Sequence, residues 1–252
     1  MSRSVSPEPD LLYGAYPVQE FGMSVQGDES GAAVLRFKAL EELCLTDALM
    51  LLDGSADLTG QKVWGGAYAL ARLLCDRPAM VKGKRVMEVG SGCAFVSLVA
   101  AFCGAKATLA TDGDEDALAL MRANVALNAA LFGDASSKTA PTVEQLWWGK
   151  DKVAQPIDVV LGADVVYGVD AVQPLLATVK ATLPAHGVFY LMHLPRALTQ
   201  QTVDDALLAE AERVGLAVVV EPGSALPVGG PPKASCEEEW PHIKLITMRH
   251  RA

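Results

Sequence analysis

Residues 85–93 read Arg85-Val86-Met87-Glu88-Val89-Gly90-Ser91-Gly92-Cys93, an apolar run that ends on two glycines separated by a serine. Arg85 to Val89 has strand character and Ala94 to Phe102 reads as a helix, so the glycines fall on a strand-to-helix turn. Gly90 can take a positive φ there, and Gly92 has no Cβ to hold a ligand away from the main chain. Twenty-two residues beyond Gly90, Thr108 to Thr111 forms a second short apolar run that ends in Asp112. A carboxylate at that spacing accepts hydrogen bonds from ribose hydroxyls, so the two segments together read as a pocket for a nucleoside-bearing cofactor.

The dinucleotide fingerprint needs a third glycine where this chain has Phe95, and it sets a pyrophosphate on the helix N-terminus. Glu88, two residues before Gly90, repels a phosphate but suits a ligand carrying an amino group and a sulfonium. S-adenosylmethionine, with an adenosine, a cationic centre and no pyrophosphate, is therefore the expected cofactor. A tight turn without a ligand is the bland alternative. An NAD-linked oxidoreductase is disfavoured by Phe95 and by the lack of a Ser-Tyr-Lys or histidine-based hydride apparatus.

Outward from this turn, strand and helix signals alternate. Strands are expected at 85–89, 107–111, 142–146, 157–163, 188–193, 216–220 and 243–248, and helices at 66–75, 94–103, 115–131, 171–183 and 199–214. Such alternation predicts an α/β fold, a mostly parallel sheet with helices on both faces. Tyr16 to Val25 and Ala33 to Phe37, separated by Gly27 to Gly31, read as a small N-terminal β-hairpin extension. Residues 1–12 read as a loose tail, 53–62 as a polar connection, and the proline- and glycine-rich stretch 222–241 as a long exposed loop.

With 252 residues, 51% of them apolar, the chain can bury one full α/β core. A formal charge of −9 argues against nucleic acid as the main partner. It suits a basic protein segment, or simply keeps the chain in solution. Five cysteines without a C-x-x-C pair, Cys93 among them, read as reduced thiols, and four scattered histidines give no metal cluster. No apolar block resembles a signal peptide or a membrane span, so a soluble cytoplasmic or nuclear protein is expected, and it is read separately as a monomer.

Four blocks narrow this further: Val63-Trp64; Glu88-Val89-Gly90-Ser91-Gly92; Leu146-Trp147-Trp148-Gly149; and Leu161-Gly162-Ala163-Asp164-Val165-Val166-Tyr167. On them the chain resembles the class I methyltransferases of the seven-stranded Rossmann-like fold, from about Phe21 to Arg196. Within that class it is similar to the protein-lysine methyltransferases called family 16, or methyltransferase-like 21. The resemblance implies a methyltransferase domain over 51–252, with 1–50 as tail and hairpin. It also implies that Trp64, Gly90, Ser91, Gly92, Asp112, Trp148 and Ala163 contact S-adenosylmethionine, with Glu88 beside them. The substrate implied is a lysine-bearing protein, a chaperone or a translation factor being examples. The Trp148 indole can cover the adenine, whereas strand alternation turns Trp147 elsewhere. The chain departs from the family in having Cys93-Ala94 for Thr-Gly, Gly65-Gly66 for Asp-Ala, and a closing strand without tyrosine.

Methyl transfer from a sulfonium needs a neutral amine about 3 Å from the methyl carbon. A free lysine costs roughly 4.6 kcal/mol to deprotonate at pH 7. Asp164 is expected to orient the incoming amine or the cofactor's methionine end, and Tyr167 to line a lysine channel. On this reading Asp164→Ala abolishes transfer and leaves the fold intact. Arg196 reads as a solvated charge. Transfer to a protein histidine or a small amine, or a non-catalytic cofactor-binding role, are the competing readings.

Overall fold

The computed structural model describes residues 16–27, 31–41, 58–133, 138–195, 200–232 and 236–251. The expected tail at 1–12, the 53–57 part of the polar connection, and Arg196 lie outside them. A two-stranded antiparallel sheet, β1 (Val18–Met23) and β2 (Ala33–Lys38), precedes a seven-stranded one. The latter comprises β3 (Arg85–Glu88), β4 (Ala107–Asp112), β5 (Thr142–Gln145), β6 (Val159–Ala163), β7 (Val188–His193), β8 (Leu216–Pro222) and β9 (Lys244–His250). Its order is β5-β4-β3-β6-β7-β9-β8, parallel from β5 to β7, with β9 antiparallel to both its neighbours. Five helices accompany it: α1 (Gly65–Asp76), α2 (Phe95–Phe102), α3 (Glu115–Leu127), α4 (Val169–Thr182) and α5 (Gln200–Arg213).

Both faces of the central strands are buried, which is why β6 is apolar without alternation and why β3 buries Val86 and Met87 on opposite faces. Val86 and Val159 face one core with α1, α2 and α3; Met87 and Val160 face the other with α4 and α5. The chain winds outward from β3 through β4 to β5, then crosses back to β6. The C-terminal ends of β3 and β6 thus flank the switch point where such sheets bind ligands. Arg85 and Asp158 fasten the opposite end: the guanidinium bonds both carboxylate oxygens, at 3.0 and 2.6 Å, and the Arg85 N–H adds a third bond.

The helix expected through residue 131 stops at Leu127. The Asn128 amide donates to the Asn124 carbonyl at 2.8 Å, satisfying an end group, and a 3₁₀ turn Ala129–Leu131 follows. The same two asparagines hold the hairpin. Asn128 exchanges bonds with the Arg36 N–H and C=O, at 3.0 and 2.6 Å, and Asn124 does so with those of Lys38, at 2.7 and 3.0 Å. One side chain of α3 and that of its C-cap residue thus stand in for a neighbouring strand along β2. Asn124 also donates to the Cys93 carbonyl at 2.9 Å, tying the hairpin to the glycine turn. Asn124→Ala strands three backbone groups, one buried and two partly buried, so a loss of about 3 kcal/mol and a Tm lower by roughly 6–12 °C are expected in a thermal melt. A Tm within about 2 °C of wild type would show that water replaces the clamp.

Phe95 packs toward the hairpin, its ring 5.1 Å from Phe21, 4.9 Å from Phe37 and 5.0 Å from Tyr68. Among its described residues the stretch 222–241 is mostly exposed, as expected of a loop, but three apolar side chains anchor it. Leu226, Val228 and Trp240 are buried in the α1 core, and Arg72 of α1 donates to the Val228 and Gly230 carbonyls at 2.8 and 2.6 Å. Its many prolines and glycines dilute the apolar periodicity that would have signalled this.

Candidate active site

β3 hands the chain to α2 through a turn with positive φ at Gly90 (59°), Gly92 (51°) and Ala94 (60°). Asp112, at the exit of β4, holds the turn: its Oδ2 accepts from the Gly92 N–H at 3.0 Å, while Oδ1 accepts from Asp114 N–H at 3.2 Å. Burial pushes the Asp112 carboxyl up and these backbone donors pull it down, leaving it raised overall. The room at Gly92 serves a different purpose from the one read in the sequence. A Cβ there would lie 2.6 Å from the Gly60 carbonyl oxygen, so the close approach is made by the protein's own segment 58–64, which lies along the turn as a strap.

Glu88 is 3% exposed, and its Oε2 accepts from Ser91 Oγ (2.5 Å), Ser97 Oγ (2.5 Å) and Ser97 N–H (2.8 Å). Burial raises its pKa from 4.5 to about 7, against the lowering effect of those donors. Between these values the native chain holds a proton that the unfolded chain has lost. This group's stabilising contribution is therefore complete below pH 4.5 and fades as pH rises through 7. Glu88→Gln keeps an acceptor for the serines and removes the titration. Its stability relative to wild type, followed by denaturant unfolding, should rise between pH 5 and 8 by an amount on the order of 3 kcal/mol. A flat difference over that range would place the titration elsewhere.

Asp164 follows β6 with a left-handed φ of 54°. Its Oδ2 accepts from the Gly66 N–H at 2.7 Å and its Oδ1 from the Leu194 N–H at 2.8 Å. Trp64, the N-cap residue of α1, makes no side-chain cap bond, so Asp164 caps that helix from across the sheet. A Cβ on Gly66 would lie 2.7 Å from the Asp164 carboxylate, so in this chain the glycine leaves room for the capping bond. Tyr167 stands at the mouth, 61% exposed.

Trp148 closes over Gly90, whose added Cβ would meet the indole at 3.2 Å. Trp147 corrects the strand-alternation reading. β5 ends at Gln145, and a turn follows in which the Lys150 and Asp151 N–H groups donate to the Trp147 carbonyl. Alternation therefore lapses, and Trp147, 50% exposed, lies over Gly113 and lines the same cavity as Trp148.

That cavity has a volume of about 950 Å³, within the range of small-molecule sites. Trp64, Glu88, Gly90, Ser91, Gly92, Asp112, Trp148, Ala163, Asp164 and Tyr167 all line it. Sequence reasoning missed the strap residues Thr59, Gly60 and Lys62, and also His193, whose Nε2 lies 3.1 Å from Asp204 Oδ1 in α5. None belongs to a local motif; only the paired tryptophan of Val63-Trp64 pointed toward the strap. Six carboxylates line the wall, those of Glu88, Asp112, Asp114, Glu115, Asp164 and Asp170, against the ammonium groups of Lys62 and Lys150. A wall of this sign favours a ligand with net positive charge.

Comparison with known proteins agrees with this geometry. A lysine methyltransferase family model matches residues 46–206. The chain is 27% identical over 220 residues to protein-lysine N-methyltransferase EFM3 of Chaetomium thermophilum, across 82% of this chain and 61% of that one. It is 37% identical over 121 residues to protein N-lysine methyltransferase METTL21A of Danio rerio, across 47% and 53%. The chain thus spans about half to three fifths of the length of these relatives. Among solved structures, the glycopeptide N-methyltransferase MtfA superposes with a TM-score of 0.56 at 14% identity, over 82% of this chain and 99% of that one. At that identity the likeness is one of fold.

Proposed function

Because the chain belongs to the lysine methyltransferase family, we propose that it transfers methyl groups from S-adenosylmethionine to the side-chain amine of a lysine in a protein substrate. The observation that supports this most is the convergence on one cavity, at the β3–β6 switch point, of ten residues singled out by the glycine turn, its answering carboxylate and the family resemblance. Residues 51–252 are taken as the unit that does this, with a cytoplasmic setting for its substrate.

The residues present fit that cofactor. Asp112 is the acceptor for the ribose, Trp148 and Trp147 offer faces for the adenine, and the acidic wall suits two cationic groups. When bound, S-adenosylmethionine supplies an electrophilic methyl group on a sulfonium. The chain's own task is to hold a neutral amine in line with it. Enclosure between Tyr167 and the strap desolvates the incoming amine and favours its neutral form. A bare carboxylate would oppose this by holding the ammonium. At Asp164 that pull is blunted, since both oxygens are engaged by backbone N–H donors.

The test is incubation of the full chain with labelled S-adenosylmethionine and a lysate depleted of methylation. A discrete labelled protein band carrying methyl-lysine by mass spectrometry is expected. Label confined to small molecules, or found on histidine, would reject lysine as acceptor.

A further inference from the structure

Away from the cavity, two cysteines meet at the far ends of the helices that wall it. Cys75 lies in the last turn of α1, and Cys103, 28 residues on, is the C-cap residue of α2. The Cys103 S–H donates to the Cys75 sulfur over 4.0 Å, and neither residue lines the cavity. The backbone on both sides is held. The Gln26 N–H donates to the Cys75 carbonyl at 2.9 Å and the Cys103 N–H to the Val99 carbonyl at 2.8 Å, while both side chains pack in the core shared by α1, α2 and the hairpin. Gly104, with a φ of 89°, turns the chain directly after Cys103. Both sulfurs thus sit at helix ends, where the backbone frays and adjusts more readily than in a helix interior. A disulfide, with about 2.05 Å between sulfurs, needs such an adjustment from the 4.0 Å contact.

Their surroundings separate the two thiols chemically. The S–H bond from Cys103 draws the Cys75 thiol below its ordinary value, with help from the Ser24 N–H and against the raising effect of burial. Cys75 is also the more open of the pair, 7% exposed against 3%. Cys93 offers a contrast, because burial beside Glu88 and Asp112 pushes its thiol well up.

We propose that Cys75 and Cys103 form a modification site for small peroxides, in which Cys75 is the attacking thiol and Cys103 resolves it to a reversible disulfide between α1 and α2. The Cys75 thiolate attacks one peroxide oxygen, the O–O bond breaks, and the other oxygen of hydrogen peroxide leaves as hydroxide and is protonated to water. Cys75 is then a sulfenic acid, its sulfur oxidised by two electrons and the peroxide reduced by two. The Cys103 sulfur attacks the Cys75 sulfur, the S–O bond breaks as the S–S bond forms, and the hydroxyl departs as water with the Cys103 proton. Two thiols and one peroxide become one disulfide and two waters, and a dithiol reductant reverses the oxidation.

Mass-spectrometric peptide mapping of the full chain, after brief exposure to hydrogen peroxide and blocking of the remaining thiols, tests this. A peptide pair linked through Cys75 and Cys103, lighter by two hydrogens and restored by dithiothreitol, is expected to form at least about tenfold faster than Cys93 is oxidised. Cys103→Ser removes the resolving thiol and should leave Cys75 as a sulfenic acid that dimedone traps. Cys75→Ser should leave Cys103 reduced. The linked peptide is read in the wild-type chain, so a variant that fails to fold does not remove the test. Both thiols still reduced once half-buried Cys236 is oxidised, or Cys75 joined to another cysteine, would overturn the assignment. So would dimedone trapping at Cys103 in the Cys75→Ser chain equal to that at Cys75 in the Cys103→Ser chain.

Discussion

Asp164→Ala is expected to reduce methyl transfer at least about 100-fold and to lower the melting temperature at the same time. Both effects follow from two hydrogen bonds. The Asp164 carboxylate accepts the Gly66 N–H, in the first turn of α1, and the Leu194 N–H, just past β7. Alanine leaves both donors stranded, at about 1–3 kcal/mol each, which amounts to a Tm drop of roughly 4–24 °C. The rate falls because those bonds position the start of α1 and the exit of β7, two walls of the cavity, and a displacement near 1 Å costs about two orders of magnitude. Asp164→Asn keeps the size and one acceptor oxygen but points its NH₂ at the second donor, so an intermediate Tm is expected. Differential scanning calorimetry beside the transfer assay checks this. An alanine variant with wild-type melting would return Asp164 to the role read from the sequence, that of a group acting on amine or cofactor without holding the fold. One with full activity would remove it from both.

Gly92→Ala has the second-largest expected effect, on cofactor affinity. Its φ of 51° is a conformation that costs an L-residue about 1–2 kcal/mol. The new Cβ would also lie 2.6 Å from the Gly60 oxygen and 3.2 Å from the Gly60 carbonyl carbon, both backbone atoms. Neither can rotate away, so the strap must lift off the turn. Lifting it moves Lys62 and Trp64 and loosens the Asp112 bond to the Gly92 N–H. Affinity for S-adenosylhomocysteine should fall about 100-fold, equivalent to about 2.8 kcal/mol. Equilibrium binding that stays within about threefold of wild type would show that the strap can move without consequence.

The two predictions also mark where sequence reading succeeded and where it stopped. Gly90, Gly92 and Asp112 were legible because a strand-to-helix turn and the next strand end lie at a spacing set by covalent geometry. The seven strands and their helices were legible through apolar runs alternating with amphipathic ones, with ends shifted by a few residues, at Asn128 by a side-chain bond. Three things were not legible. The partners of Asp164 lie 98 and 30 residues away in the chain. The asparagine clamp joins residues 86 and 92 apart. Trp147 faces the cavity because β5 stops two residues earlier, a boundary that depends on which neighbour it pairs with.

What the amino-acid sequence determined by itself was local: the order of strands and helices, the glycine turn with its answering carboxylate, and the chemical types of the lining residues. Each depends on periodicity and short-range sterics, which act within a few residues. The tertiary structure alone decided that the strap fills the space at Gly92, that Asp164 caps a helix on another layer, and that Lys62 stands over Trp64 inside the cavity. Those outcomes rest on hydrogen bonds and contacts between segments far apart in the chain. Such contacts have no sequence period, and they exist only once the hydrophobic cores on the two faces of the sheet have brought the segments together.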